Sequence, residues 1–182
     1  MLIVFETHST SLDNEAGVAS GRLDVDLSAR GEREAAELRT RYRDGGVDIV
    51  YASDLRRSWR TAEIAFGGTG IEVVRDARLS ECDYGELTGR PVGEIEAYRV
   101  RAARAPFPGG ESYVQVTARV ARWLEDVRGR DARRVVVIGH RGTHYALEHL
   151  LAGIPLEHAV QTPLRWQPGW RYDVPAQTTS GG

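Results

Sequence analysis

The 182-residue chain contains no lysine; all 24 of its basic residues are arginine. Without a lysine amine, Schiff-base chemistry and a P-loop of the Walker type are both excluded. There is one cysteine, Cys82, which rules out an internal disulfide framework and any cysteine-rich metal site. No apolar run approaches the roughly 20 residues needed to cross a bilayer. The opening Met1-Leu2-Ile3-Val4-Phe5-Glu6 has no basic stretch and meets an acid at once, so no signal peptide is expected. Positive charge is not in excess either. The formal net charge is −2, which gives no reason to expect a nucleic-acid or anionic-membrane surface. These absences lead us to expect a cytoplasmic protein with neither membrane nor nucleic acid as partner.

Apolar residues make up 41% and charged residues 27%, the balance of an ordinary soluble globule. The length suits one core. With no repeat or linker in view, we expect a single domain over 1–176 and a short polar tail over 177–182. Leu2 to Phe5, 47–51, 71–74 and 133–139 read as strands, the last holding the strongest buried-strand run, Val135-Val136-Val137-Ile138. Helices are expected from Ser28 to Gly45, from a cap at Ser53 or Asp54 to Phe66, from Pro91 to about Ala105, over Glu111 to Val127, and from Gly142 to Leu151. Residues 7–27 and 76–90 read as irregular, and 170–174 as a last strand. Alternating strands and helices imply a three-layer α/β/α sandwich with a mostly parallel sheet.

Ligands in such sheets bind beyond the carboxyl ends of the strands. By that rule Thr7-His8-Ser9, residues 53–57 and His140-Arg141 should converge. Two histidines and an arginine in one crevice suit phosphoryl chemistry. A neutral imidazole can attack phosphorus, a guanidinium can hold phosphoryl oxygens in pairs, and a carboxylic acid can protonate the departing alkoxide.

Here the sequence resembles the histidine phosphatase superfamily, the phosphoglycerate-mutase-like clan. Six blocks run in family order. They are Thr7-His8-Ser9 through Asn14, Gly21 through Gly31, Tyr51-Ala52-Ser53-Asp54-Leu55-Arg56-Arg57, Leu79-Ser80-Glu81 through Gly89, Pro108-Gly109-Gly110-Glu111-Ser112, and Val136-Val137-Ile138-Gly139-His140. The resemblance implies a phosphoglycerate-mutase-like fold and a phosphohistidine intermediate. His8 would be the nucleophile and Glu81 the proton donor and later base. Arg57 and His140 would bind the transferred group, with Asn14 as a further donor. It implies no cofactor and no metal, a small phosphorylated substrate, and a homodimer as the family-like assembly.

The family's arginine before the nucleophile is Thr7 here, a hydroxyl donor in place of a guanidinium. Arg141 is the first candidate to replace it as a phosphate ligand, with Arg22 and Arg56 behind it. The motifs do not separate phosphatase from mutase, but mutases of the family are commonly longer, so the resemblance together with the compact stretch from Glu81 to His140 favours hydrolysis. A phospho-ligand-binding protein with impaired catalysis stays open as the other class. His140 and His144 have the spacing of a zinc helix but lack its glutamate. His144 and His149 therefore read as ordinary helix residues, with His144 near enough to touch a substrate. Cys82 lacks partners for a nucleophilic role, Trp166 and Trp170 default to the core, and Arg90, Arg99, Arg101 and Arg104 hint at an anionic substrate.

Overall fold

The computed structural model describes residues 1–165 and 167–175; the expected tail over 177–182 and Trp166 lie outside the described residues. Five strands form one sheet: β1 (Leu2–Thr7), β2 (Ile49–Ala52), β3 (Glu72–Arg75), β4 (Arg134–Gly139) and β5 (Trp170–Asp173). Their spatial order is β3-β2-β4-β1-β5. The first four are parallel, and β5 runs antiparallel along β1. The sheet is thus mostly parallel and covered by helices, as the α/β/α reading expects.

Strand alternation divides the core. Ile3, Phe5, Val135 and Val137 project toward one layer, where α5 (Tyr113–Arg128) and α6 (Arg141–Leu151) pack around Trp123 and Leu147. Val4, Val50, Val136 and Ile138 project to the other, against α2 (Ala29–Arg41) and α3 (Arg56–Phe66). A strand buried on both faces must be apolar at every position, which is why β4 reads Val-Val-Val-Ile.

Three helical stretches depart from expectation. The 7–27 segment holds a short helix α1 (Leu12–Ala16), closed by a capping box in which Ser11 and Asn14 exchange backbone and side-chain bonds. The helix expected from Pro91 to Ala105 ends at Tyr98 as α4 (Val92–Tyr98) and resumes as one 3₁₀ turn over 101–103. A further helix, α7 (Leu156–Gln161), follows α6. Neither Ser53 nor Asp54 caps α3. Leu55 holds that position, the backbone N–H of Arg56 is met instead by Asp24 Oδ1 at 2.7 Å, and the two polar side chains turn elsewhere.

The loop after β1 rests directly on the start of α2. A Cβ on Gly31 would lie 1.9 Å from the Thr10 carbonyl oxygen, a backbone atom that cannot swing away. Gly31→Ala should therefore lower stability by about 1–3 kcal/mol, against alanine's better helix propensity. Denaturant unfolding checks this, and an unchanged or raised midpoint would contradict the close approach.

Candidate active site

The parallel register sets Thr7 beside Gly139 and Ala52 beside Ile138, so the ends of β1, β2 and β4 open on one point. The His8 backbone N–H donates to the Gly139 carbonyl at 2.9 Å, and the His8 and His140 rings follow with centroids 5.0 Å apart. Thr7, His8, Asn14, Arg57, Glu81, His140 and Arg141 all line one cleft of about 270 Å³. The structure thus brings these seven candidate residues together.

His8 Nδ1 lies 2.8 Å from the Ser9 carbonyl oxygen. A carbonyl only accepts, so Nδ1 carries the proton and Nε2 presents a lone pair. Burial, reinforced by the Arg57 cation, pushes the His8 pKa down to about 3, and the ring is a neutral base at neutral pH. Arg57 is buried at the start of α3. It donates from Nη1 to Leu23 O at 2.9 Å and from Nη2 to Gly21 O at 2.8 Å. Two carbonyls thus aim the guanidinium and leave its other N–H groups for a ligand. Burial lowers its pKa, with Glu81 opposing, but an arginine stays charged.

Glu81 Oε1 accepts from the N–H of Cys82 at 2.8 Å and of Gly142 at 2.9 Å. The second bond caps the N-terminus of α6. A Cβ at Gly142 would come within 2.7 Å of the same oxygen. Arg119, on α5, holds this segment from behind, donating to Glu81 O at 3.0 Å and pairing with Glu111 at 3.2 Å. Glu111 in turn accepts from the Asp83 N–H at 3.0 Å. No sequence signal marked Arg119, because its partners are brought to it only by the fold. Asn14 uses Oδ1 in the α1 capping box, which leaves its amide N–H groups for the cleft.

Of the three arginines weighed against Thr7, only Arg141 lines the cleft. Arg22 pairs with Glu111, and Arg56 with Asp24 and Asp26. Arg141 is half-buried at the first position of α6, and its Nη1 meets Glu96 Oε1 at 2.5 Å. Glu96, which also pairs with Arg99, is a wall residue the sequence did not mark. Glu6 turns away from the site to Tyr42 and Arg41, at 2.8 and 2.9 Å.

His144 departs from expectation. It is buried, stacked 5.4 Å from Phe5, tilted against Trp170 at 4.7 Å, bonded to the Tyr172 hydroxyl at 3.2 Å, and faces a separate cavity. His140 and His144 thus take different partners. His149 meets the Ile154 carbonyl at 2.9 Å and is ordinary, as read. Burial pushes the Cys82 thiol pKa up, with Glu81 adding to the rise, so it is a poor nucleophile. Arg90, Arg99, Arg101 and Arg104 do not line the cleft. No described helix is long and apolar enough to cross a membrane.

The family model for the histidine phosphatase superfamily (branch 1) matches residues 3–168. The chain is 32% identical over 163 residues to phosphoserine phosphatase 1 of Hydrogenobacter thermophilus, spanning 85% of this chain and 77% of that one. It is 31% identical over 157 residues to a protein of Erwinia tasmaniensis named "Probable phosphoglycerate mutase", spanning 81% and 73%. Among solved structures, mycobacterial glucosyl-3-phosphoglycerate phosphatase in complex with VO3 superposes with a TM-score of 0.80 at 27% identity, spanning 89% and 87%.

The depressed His8 pKa carries a stability signature. Between the unfolded value of 6.5 and about 3, the unfolded chain binds a proton at His8 that the native state refuses. Stability therefore falls as pH drops through that window, with a slope for this group approaching about 1.4 kcal/mol per pH unit. We expect His8→Gln to lose less stability than the wild type between pH 6.5 and 4. Parallel unfolding curves for the two proteins would show that His8 is not held neutral.

Proposed function

The chain belongs to branch 1 of the histidine phosphatase superfamily and is a phosphoric monoester hydrolase; we propose that it acts without a metal, through a phosphohistidine at His8, on a small phosphorylated metabolite. The observation that carries this reading is the state of His8. Its Nδ1 proton is given to the Ser9 carbonyl, so its free Nε2 sits in one cleft with Arg57, His140 and Glu81.

In this reading Nε2 attacks phosphorus as the P–O bond to the leaving group lengthens. Arg57, His140 and the Asn14 amide hold the phosphoryl oxygens, and Glu81 gives its proton to the departing alkoxide. Glu81, now a carboxylate, takes a proton from water as that water attacks the phosphohistidine. The P–N bond breaks, and phosphate and free His8 return. Phosphoryl transfer is mostly positioning and charge stabilisation, which these groups supply.

Arg141 takes the place of the guanidinium that Thr7 does not provide, swinging from Glu96 onto a phosphoryl oxygen. A cleft open to water favours hydrolysis over retention of the phosphoryl group. Transfer back to substrate, as in a mutase, is the second reading, favoured by the relative that carries that name.

Phosphate release from a panel of phosphomonoesters, with no added metal, tests the proposal. We expect wild-type turnover, an acid-labile phosphoenzyme on quenching, and loss of roughly 10⁴-fold or more in His8→Ala. A folded wild type that releases no phosphate from any ester would overturn it. Phosphate exchange between positions of one substrate without net release would favour the mutase.

A separate measurement addresses Arg141. Arg141→Ala should raise KM about tenfold or more, the loss of one charged hydrogen bond of about 1.5–3 kcal/mol. An unchanged KM would leave the position of Thr7 without a substitute.

A further inference from the structure

Behind the two histidines lies a fully buried hydroxyl that the reaction above does not use. Ser53 follows β2, whose register with β4 brings it beneath His140. Its Oγ lies 2.7 Å from His140 Nε2 and accepts from the Leu55 N–H at 3.3 Å. The Ser53 N–H donates to Ser58 Oγ at 3.0 Å, and that hydroxyl donates to the Ile138 carbonyl at 2.7 Å. Two serines thus tie the end of β2 to the end of β4.

The 2.7 Å contact has two possible directions. If Nε2 donated, the Ser53 hydroxyl proton would be left at a fully buried position without an acceptor among the described residues, and the Nδ1 lone pair would be bare. Leaving a buried donor unsatisfied costs about 1–3 kcal/mol. If Ser53 donates, its proton and Nε2 are both satisfied, and the ring proton sits on Nδ1. His140 Nδ1 is buried and has no partner among the described residues, although His140 lines the cleft.

We infer that Ser53 is a positioning residue, donating to His140 Nε2 so that Nδ1 carries the ring proton and meets an oxygen of the phosphoryl group. His140 acts then as a neutral, pre-aimed donor, in keeping with burial and the Arg57 cation, which hold its pKa well below the ordinary histidine value. A ring turned to the other tautomer would present a lone pair to an anionic oxygen. The catalytic consequence rests on the phosphatase reading; the tautomer does not.

The test begins with ¹⁵N-histidine NMR of the wild type, the His140 signals being assigned by their loss in His140→Gln. We expect the proton on Nδ1, and its resonance should shift when inorganic phosphate is added. An Nε2-bound proton overturns the inference whatever the activity. In Ser53→Ala the Nδ1 tautomer should give way to a mixture and kcat/KM should fall about 10²-fold, the scale of one lost oxyanion donor. Ser53→Thr, which keeps the hydroxyl, should restore the wild-type tautomer and most of the activity. Ser53→Ala with an unchanged tautomer and unchanged kcat/KM would also overturn it. Should Ser53→Ala fail to fold, the wild-type tautomer and its response to phosphate decide alone. Absence of turnover with the Nδ1 proton in place would count against the phosphatase reading and not against Ser53.

Discussion

The pairing of β1 with β4 is the constraint from which the site follows. These strands are far apart in the chain and parallel in the sheet, and their register aligns Thr7 with Gly139. The bond from the His8 N–H to the Gly139 carbonyl continues that ladder one step beyond the strands. A slip of one residue would turn every β1 side chain to the opposite face. Val4 would then meet the layer built for Ile3 and Phe5, and the His8 ring would leave the cleft. The apolar packing on the two faces of the sheet therefore fixes the distance between two polar rings at its edge.

Around that pair, three of the charged or polar groups of the cleft are held by backbone. Arg57 is aimed by two carbonyls, Glu81 by two N–H groups, and His8 by the Ser9 carbonyl. Backbone partners lie where the fold puts them and lose little freedom in binding, which suits a site that works by pre-organisation. Arg141 differs, since its partner is the exposed side chain of Glu96. The cleft is thus held by backbone around His8 and by a side-chain pair at its rim.

Much of this was legible in the sequence for physical reasons. The central strands are buried on both faces and so are apolar without interruption. His8 and His140 stand directly after two of them and Arg57 a few residues after a third, as the geometry of parallel sheets requires, whereas Asn14 and Glu81 were marked by the family resemblance alone. Short helices were less legible. α1 rests on one capping box and α7 on contacts with α6 and the 101–103 turn, and neither has enough length to display a period. The cap of α3 departs from its local signal because Asp24, from a distant loop, meets the first amide while Ser53 is drawn to His140. Arg119 and Glu111 support Glu81 across separations that no local spacing reveals. His144 lies one turn beyond His140, yet packs with Phe5 and with Trp170 of β5, the antiparallel strand that extends the sheet beside β1.

The capping of α6 by Glu81 has a consequence for where a proton can rest. The two oxygens of a free carboxyl are equivalent, but these are not. Oε1 already takes two N–H bonds, from Cys82 and Gly142, so both of its lone pairs are engaged. The acid form therefore carries its hydrogen on Oε2, and the carboxyl cannot rotate to exchange the two without uncapping the helix. In the reaction proposed above, the departing proton would have a single address, and a helix is what would keep it there.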